Sequence, residues 1–153
     1  MKSILVIFNG IKFPFHLMEY ALKQAKSQSA SLHALFLKGK EETSTGYGFP
    51  SDLGQAENVT DSEDAREDDE KIIRHHMKLS EDMAITESIP FTSAILANSS
   101  LTETTHLMKP FHMVLLDAAY DVETNSLLTN DRFTAQDLIE KSSSPVTLVS
   151  ESM

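Results

Sequence analysis

Cysteine is absent from this chain of 153 residues. Its absence excludes disulfides, thiolate catalysis and zinc sites that use cysteine ligands. Basic residues are few: 13 lysines and arginines stand against 23 aspartates and glutamates, which gives a formal net charge of -10. Such a charge disfavours nonspecific binding to nucleic acid or to anionic membranes, because both need a cationic surface. We therefore expect neither nucleic acid nor membrane among the partners.

Long apolar segments are also lacking. The apolar run near the N-terminus ends after Phe8, which is too short for the core of a signal sequence. Nothing approaches the roughly 18 apolar residues of a membrane span. We expect a soluble, cytoplasmic protein. Its length and its 41% of hydrophobic residues suit a single domain over residues 1–153 with one substantial core.

What the sequence does contain is a regular alternation of short apolar runs and helical patterns. Strands are predicted at residues 3–8, 31–37, 91–96, 112–116 and 146–149. The first of them has no polar alternation, which is typical of a strand covered on both faces. Because parallel neighbours need crossover connections, the alternation predicts an α/β fold in which a parallel sheet carries helices on both faces. Ligands in such sheets bind beyond the carboxyl ends of the strands, where the winding direction reverses.

The first two helices have recognisable starts. The first is predicted to begin near Pro14, a residue favoured in the first turn. Residues 39–59 have no sustained period, which predicts a flexible loop within the domain. Thr60 and Glu63 then have the spacing of a capping box, which predicts the start of a long second helix. Helical spacing predicts that the inward positions are Leu17, Ala21, Leu22 and Ala25 in the first helix and Ile72, Ile73, His76, Met77, Ser80 and Met83 in the second.

Two shorter helices complete the alternation. Ser100 and Glu103 form another capping-box candidate, so a third helix is predicted to begin there and to end before Pro110. The fourth helix is predicted over residues 131–142, and Pro145 leads into the last strand.

Three groups of polar residues raise the question of a metal site. The acidic run at residues 63–70 could hold a metal or a basic partner, but its simpler interpretation is a solvated first turn favoured by the helix dipole. His75 and His76 adjoin on a helix and point about 100° apart, which hinders joint coordination of one ion. Residues 121–132 begin with the ligand spacing of a calcium loop, but serine and arginine stand where that loop needs glycine and glutamate. No metal site is predicted.

Three stretches of the sequence resemble the universal stress protein family: "ILVIFNG" at the start, "HLMEYALKQAKSQSASLHALFL" after it, and "AQDLIEKSSSPVTLVSES" at the end. The last is the most specific, because a helix, a Ser-Pro step and an apolar strand are similar to the family's terminal unit. The resemblance implies a Rossmann-like three-layer α/β sandwich of the adenine nucleotide alpha hydrolase-like type, with a parallel sheet of order 3-2-1-4-5. It also implies a ligand crevice between the first and fourth strands, and a homodimer that is often formed through the final strand.

The glycines of the family's nucleotide site have no counterpart here. Nucleotide-binding members carry Gly-x-x-Gly after the fourth strand and a further Gly-Ser or Gly-Thr at the start of the last helix, because backbone amides must approach the phosphates closely. In this sequence the first pair falls at Asp117 and Tyr120, the second at Arg132 and Phe133, and no glycine follows Gly54. The resemblance therefore implies a degenerate nucleotide-binding site.

The start of the crevice departs from the family in the same way. The family's acidic residue that contacts adenosine matches Asn9, and the Gly-x-Pro step after the third strand is replaced by "ANSS" at residues 97–100. A carboxylate at Asp117, about 4 Å from a phosphate charge, would cost about 1 to 4 kcal/mol of repulsion. Arg132 could offset part of that repulsion by gripping a phosphate in a bidentate manner.

The resemblance thus implies a dimeric binding or regulatory module of the stress response, without catalysis, without a cofactor and without ATP binding in the usual mode. Its partners could be another protein or a small molecule. The alternative is a small-molecule or nucleotide binder that uses an altered crevice formed by Asn9, Gly10, Asp117 and Arg132. Turnover would need phosphate-binding groups that the sequence lacks, so we expect no enzyme.

Overall fold

The computed structural model describes residues 2–39, 53–121 and 129–151, with the backbone alone for residues 53–69. Strands and helices alternate along the chain as predicted. In chain order they are β1 (Ser3–Asn9), α1 (Phe15–Gln28), β2 (Ser31–Lys38), α2 (Leu53–Thr86), β3 (Phe91–Ala97), α3 (Leu101–Met108), β4 (Met113–Asp117), α4 (Ala135–Lys141) and β5 (Val146–Val149).

The five strands form one parallel sheet in the order β3-β2-β1-β4-β5. The predicted strand order is therefore confirmed. Strand β1 is central, and it pairs with β2 along its whole length, from Ser3 opposite Ser31 to Asn9 opposite Leu37. On its other side it pairs with β4, where Ile4 lies opposite Met113. The winding direction reverses between β1 and β4, which is the point at which a crevice is expected in such sheets.

The two faces of the sheet carry separate cores. Alternate residues of β1 point to opposite faces, as the twofold period of a strand requires. Val6 and Phe8 pack with α1 and the described part of α2 in one core. Leu5 and Ile7 pack with α3 and α4 in the other. We call these two sides the α1 face and the α4 face, because the candidate sites below differ in which of them they occupy.

Several predicted boundaries were confirmed and several were wrong. The four inward positions of α1 are all buried, and Ser100 and Glu103 form the predicted capping box of α3. Helix α2 begins at Leu53, so the predicted capping box at Thr60 and Glu63 does not start it, and residues 53–59 of the predicted loop are helical. The rest of that loop, residues 40–52, lies outside the described residues.

The start of α4 also differs from the prediction. It begins at Ala135, because Thr134 caps it: the Thr134 hydroxyl accepts from the Asp137 amide, and the Asp137 carboxylate accepts from the Thr134 amide. Pro14 likewise lies just outside α1, at its N-cap position. In α4 the capping box places the boundary, which hydrophobic periodicity alone does not resolve.

One residue of the predicted stripe on α2 faces outward. Ile73 is fully buried in the α1-face core, whereas 39% of Ile72 is exposed. Adjacent residues on a helix point about 100° apart, and here Ile73 faces the sheet while Ile72 faces outward. Ala84, which the stripe did not include, is fully buried instead.

We expect Ile73→Ala to lower the free energy of unfolding by about 2–5 kcal/mol, because it leaves a cavity in the core. The matched variant Ile72→Ala removes the same atoms at an exposed position and should cost less than about 1 kcal/mol. Urea unfolding followed by circular dichroism measures both. Equal losses for the two variants would contradict the orientation of α2.

Candidate functional site

The carboxyl end of β1 is closed by residues from the chain segment that precedes α4. Gly10, directly after β1, has a φ of +67°, and its amide donates to the Leu37 carbonyl at 2.8 Å. A Cβ at this position would lie 2.7 Å from Thr129 Oγ1 and 3.2 Å from Thr129 Cα. Only glycine fits here without strain, since the backbone conformation and the close approach both disfavour a side chain.

Asn9 and Asn130 are joined by two reciprocal hydrogen bonds. Asn9 Nδ2 donates to the Asn130 carbonyl at 2.8 Å, and Asn9 Oδ1 accepts from the Asn130 amide at 2.8 Å. Both residues are buried, with relative exposures of 6% and 1%. A side-chain amide carries a donor and an acceptor side by side, so it can pair with a backbone peptide in the way that a neighbouring strand does. Asn9 therefore extends the pairing of β1 beyond the end of the sheet.

The side chain of Asn130 is satisfied as well. Its Nδ2 lies 3.2 Å from both the carbonyl and the hydroxyl oxygen of Ser99, and its Oδ1 accepts from the Arg132 amide at 3.0 Å. Ser99 is 1% exposed and accepts from the Thr104 hydroxyl at 2.9 Å. These residues form a continuous buried network from the end of β1 to the start of α3. Buried networks of this kind are stable when each polar group has a partner.

Tyr120 and Phe133 fill the space beside this network. Tyr120 is 8% exposed and Phe133 is 5% exposed, and both belong to the α4-face core. The Tyr120 hydroxyl lies 3.4 Å from Asn9 Nδ2. Burial, followed by the nearby charge of Asp121, raises the pKa of Tyr120 well above its usual range, so its hydroxyl stays protonated. At both positions, where the resemblance to the family aligns a glycine or a small hydroxyl residue, this chain places a buried ring.

The start of α4 is also occupied by the chain's own carboxylates. Asp121 Oδ1 accepts from the Ala135 amide at 3.0 Å, and Asp137 accepts from the Thr134 amide at 2.9 Å. A helix N-terminus attracts anions because its first amides lack partners within the helix. Here two aspartates take that role. The other positions of the calcium-like spacing, Glu123 and Asn125, lie outside the described residues.

Arg132 is directed away from the buried network. Its Nη1 donates to the Asn98 carbonyl at 2.7 Å, and the residue is exposed. Asn98 follows β3 and has a φ of +49°. The guanidinium thus ties the loop before α4 to the end of β3 at the surface.

Asp117 lies on the other face of the sheet. Leu115, two residues earlier on β4, packs in the α1-face core, so Asp117 points to the same side. Its Oδ1 lies 2.9 Å from Nε2 of His16, in the first turn of α1. The pair lines a cavity of about 740 Å³ formed by residues 12–16, 117–119 and 150–151.

The four residues predicted to line one crevice are therefore divided between two places. Asn9 and Gly10 contact the segment at residues 129–132 on the α4 face, and Arg132 is the last residue of that segment. Asp117 faces the cavity on the α1 face. The sequence reasoning did not single out Asn130, or His16 as a partner of Asp117. A signal for His16 existed, since a residue in the first turn after the central strand lies at the carboxyl edge of the sheet.

His76 and Glu70 of α2 have structural contacts, whereas the side chains of residues 63–69 of the acidic run lie outside the described residues. His76 stacks on Phe13, with ring centroids 4.7 Å apart, and its buried Nδ1 has no hydrogen-bond partner among the residues that the structure describes. Burial, and then the charge of His75, lowers the pKa of His76. Glu70 pairs with the buried Lys38 at 2.9 Å, and the hydrogen bond from Lys38 lowers the pKa of Glu70. Among the described residues, no group of three metal-ligating side chains occurs, and no helix is long and apolar enough to cross a membrane.

Solved structures of universal stress proteins share this fold. A family protein from Burkholderia pseudomallei matches with a TM-score of 0.60 and 16% identity, over 97% of this chain and 95% of its own. One from Arabidopsis thaliana with AMP bound matches with a TM-score of 0.62 and 10% identity, over 98% and 92%. One from Archaeoglobus fulgidus in complex with dAMP matches with a TM-score of 0.58 and 12% identity, over 97% and 98%.

The resemblance noted in the sequence is confirmed at the level of the fold. No protein-family model matches the chain, and no curated protein matches it. Identities between 10% and 16% leave the site to be argued from this chain's own residues.

We expect Asn9→Asp to lower the free energy of unfolding by about 1–3 kcal/mol at about pH 7, because a carboxylate cannot donate to the Asn130 carbonyl. Burial raises the folded-state pKa of such a carboxyl, so its protonated form is favoured in the folded protein and the loss should shrink as the pH falls toward about 4. Chemical unfolding of variant and wild type at both pH values measures the difference.

The control for this variant is Asn98→Asp, which makes the same change at an exposed position. It should show a much smaller loss at either pH. If Asn9→Asp is as stable as the wild type at neutral pH, the paired amides do not hold the end of β1.

Proposed function

We propose that this protein is a dimeric binding or regulatory module of the universal stress protein type, active in the stress response, without catalytic activity and without ATP binding in the usual family mode. The observation that carries the proposal is the Asp121 carboxylate on the Ala135 amide, at the start of α4. The family resemblance puts nucleotide phosphates close to this helix start. Here an internal anion already uses the donor.

Three other amide donors near this helix start support the same proposal. The Asp137 amide donates to the Thr134 hydroxyl, the Thr134 amide to Asp137, and the Arg132 amide to Asn130. A phosphate would have to displace these acceptors, and it would approach Asp121 closely. At about 4 Å, two like charges repel by about 1 to 4 kcal/mol at the effective dielectric constants of a protein surface.

Steric filling adds to this electrostatic cost. Tyr120 and Asn130 occupy the space above the end of β1 and are held there by hydrogen bonds to Asn9. Opening it would break a buried polar network, and each buried group left without a partner costs about 1–3 kcal/mol. Proteins of this fold have been solved with AMP, cAMP and dAMP bound, so these nucleotides are the natural ligands to test beside ATP.

The edge of the sheet supports the proposed dimer. Strand β5 lies at one end of the strand order, and among the described residues it pairs with β4 alone. Leu148 on this strand is 40% exposed. An exposed apolar edge strand invites further pairing, and a second copy of the chain would cover it.

We expect titration calorimetry of the purified protein with ATP and magnesium to give no tight binding. AMP and cAMP should behave alike, because the adenosine end of the crevice is closed as well. The matched variant is Asp121→Asn, which keeps the shape of the side chain and removes its charge. A gain in nucleotide affinity in this variant would show that the charge of Asp121 excludes nucleotides. Tight, magnesium-dependent binding of ATP by the wild type would refute the proposal.

We expect the wild type to sediment as a dimer at micromolar concentration and Leu148→Lys to shift it to the monomer, because a charge in the interface is costly. Leu107→Lys is the control, since Leu107 on α3 has a similar exposure of 43%. It should leave the mass unchanged. A wild-type monomer, or equal effects of both variants, would argue against a dimer formed through β5.

A further inference from the structure

The cavity on the α1 face has the dimensions of a small-molecule site. Its volume is about 740 Å³, within the range of about 300–1,000 Å³ typical of ligand pockets. It lies at the carboxyl ends of β4 and β5, against the segment that joins β1 to α1. It is therefore separate from the closed network around Asn9 and Asn130, which lies on the α4 face.

One wall of the cavity is aromatic. It is formed by the segment 13–15, in which the rings of Phe13 and Phe15 meet edge to face, with centroids 5.4 Å apart. Phe13 also packs on the ring of Phe8, with centroids 4.9 Å apart, and stacks on the ring of His76, with centroids 4.7 Å apart. Phe15 is 55% exposed. The packed ring of Phe13 and the exposed ring of Phe15 together form a surface on which an apolar group can pack. A cation can also bind over the face of either ring.

Asp117 adds a carboxylate to the lining of the cavity. The side chain of Asp117 is 12% exposed, and its Oδ1 is bonded to His16. In the part of the chain that the structure describes, the Oδ2 atom has no hydrogen-bond partner. An ionised carboxylate accepts several hydrogen bonds, and one that is mostly desolvated binds a donor cation more strongly than an exposed one.

The charges around the cavity favour a cation over an anion. Its lining contains two carboxylates, Asp117 and Glu151, and one ammonium, that of Lys12, which donates to the Ala119 carbonyl at 2.9 Å. The first turn of α1 has no side-chain cap and no acidic residue, which by itself would suit an anion. Asp117, bonded to His16 of that turn, already supplies the negative charge there. The formal net charge of -10 adds a general attraction for cations.

We propose that this cavity binds a small organic cation, a protonated amine on an apolar or aromatic body, with the ammonium on Asp117 and the body against Phe13 and Phe15. The inference rests on the binding function proposed above and gives it a site and a ligand class. It does not depend on the fate of ATP, which concerns the other face.

Three matched probes test the proposal: 2-phenylethylammonium, the neutral 2-phenylethanol and the anionic 3-phenylpropionate. Amide NMR shifts of the labelled full chain locate each probe and give its affinity. We expect the cation to shift residues 12–16 and 117–119, and to bind about tenfold or more tighter than either relative, because a charge-assisted hydrogen bond is worth that factor or more. Asp117→Asn should remove most of this preference.

Two further variants complete the test. Glu81→Gln makes the same change of charge at an exposed site on α2 and should bind as the wild type does. Ala119→Leu narrows the cavity and should weaken the binding of all three probes. This variant tests the site even if Asp117→Asn fails to fold.

The proposal is overturned if no probe shifts these residues, if 3-phenylpropionate binds most tightly, or if Asp117→Asn keeps the preference for the cation. ATP is titrated on the same sample. Binding of ATP would count against the proposed function alone, and failure of the amine would count against this site alone.

Discussion

The side-chain amide of Asn9 pairs with the backbone of Asn130 and so connects the end of the central strand β1 to the segment before α4. Two hydrogen bonds of 2.8 Å make the side chain of Asn9 behave as one more residue of backbone pairing. Because both residues are buried, neither can be released without leaving polar groups unpaired. This constraint fixes the segment before α4, and that segment in turn determines where Thr129, Arg132 and Phe133 lie. The closed state of the α4 face follows from it.

The alternation of side chains along each strand decides which polar group at the strand ends is buried and which borders a cavity. Asn9 and Asp117 both end strands beside the point where the winding reverses, yet their side chains leave the sheet on opposite faces. The amide on the α4 face is enclosed by tyrosine and asparagine. The carboxylate on the α1 face borders a cavity with one oxygen in use. The open polar group of this chain, the Asp117 carboxylate, therefore lies on the α1 face, opposite the enclosed amide of Asn9.

The order and type of the elements could be predicted from the sequence, because each buried strand is a short apolar run and each crossover has helical spacing. The division of the site could not. The family alignment places Asp117 and Arg132 in the same crevice. In the structure, the alternation of side chains along β4 directs Asp117 toward α1, and a hydrogen bond to the Asn98 carbonyl holds Arg132 at the surface. The role of Asn130 depends on a partner 121 positions away, for which a single sequence carries no local signal. The start of α2 was misplaced because Thr60 and Glu63 have a capping pattern inside a longer helix.

The contact between Gly10 and Thr129 has a consequence for biosynthesis. The two residues are separated by most of the chain, so the N-terminal strand emerges from the ribosome long before the segment that covers its end. Until β4 arrives, the edge of β1 that pairs with it is unprotected, and until the segment around Thr129 arrives, the polar tip of β1 stays hydrated. Pairings so remote in sequence are slow to form and leave a nascent chain open to wrong association. A chain terminated before residue 129 would therefore contain most of the sheet but lack the segment that covers the end of β1.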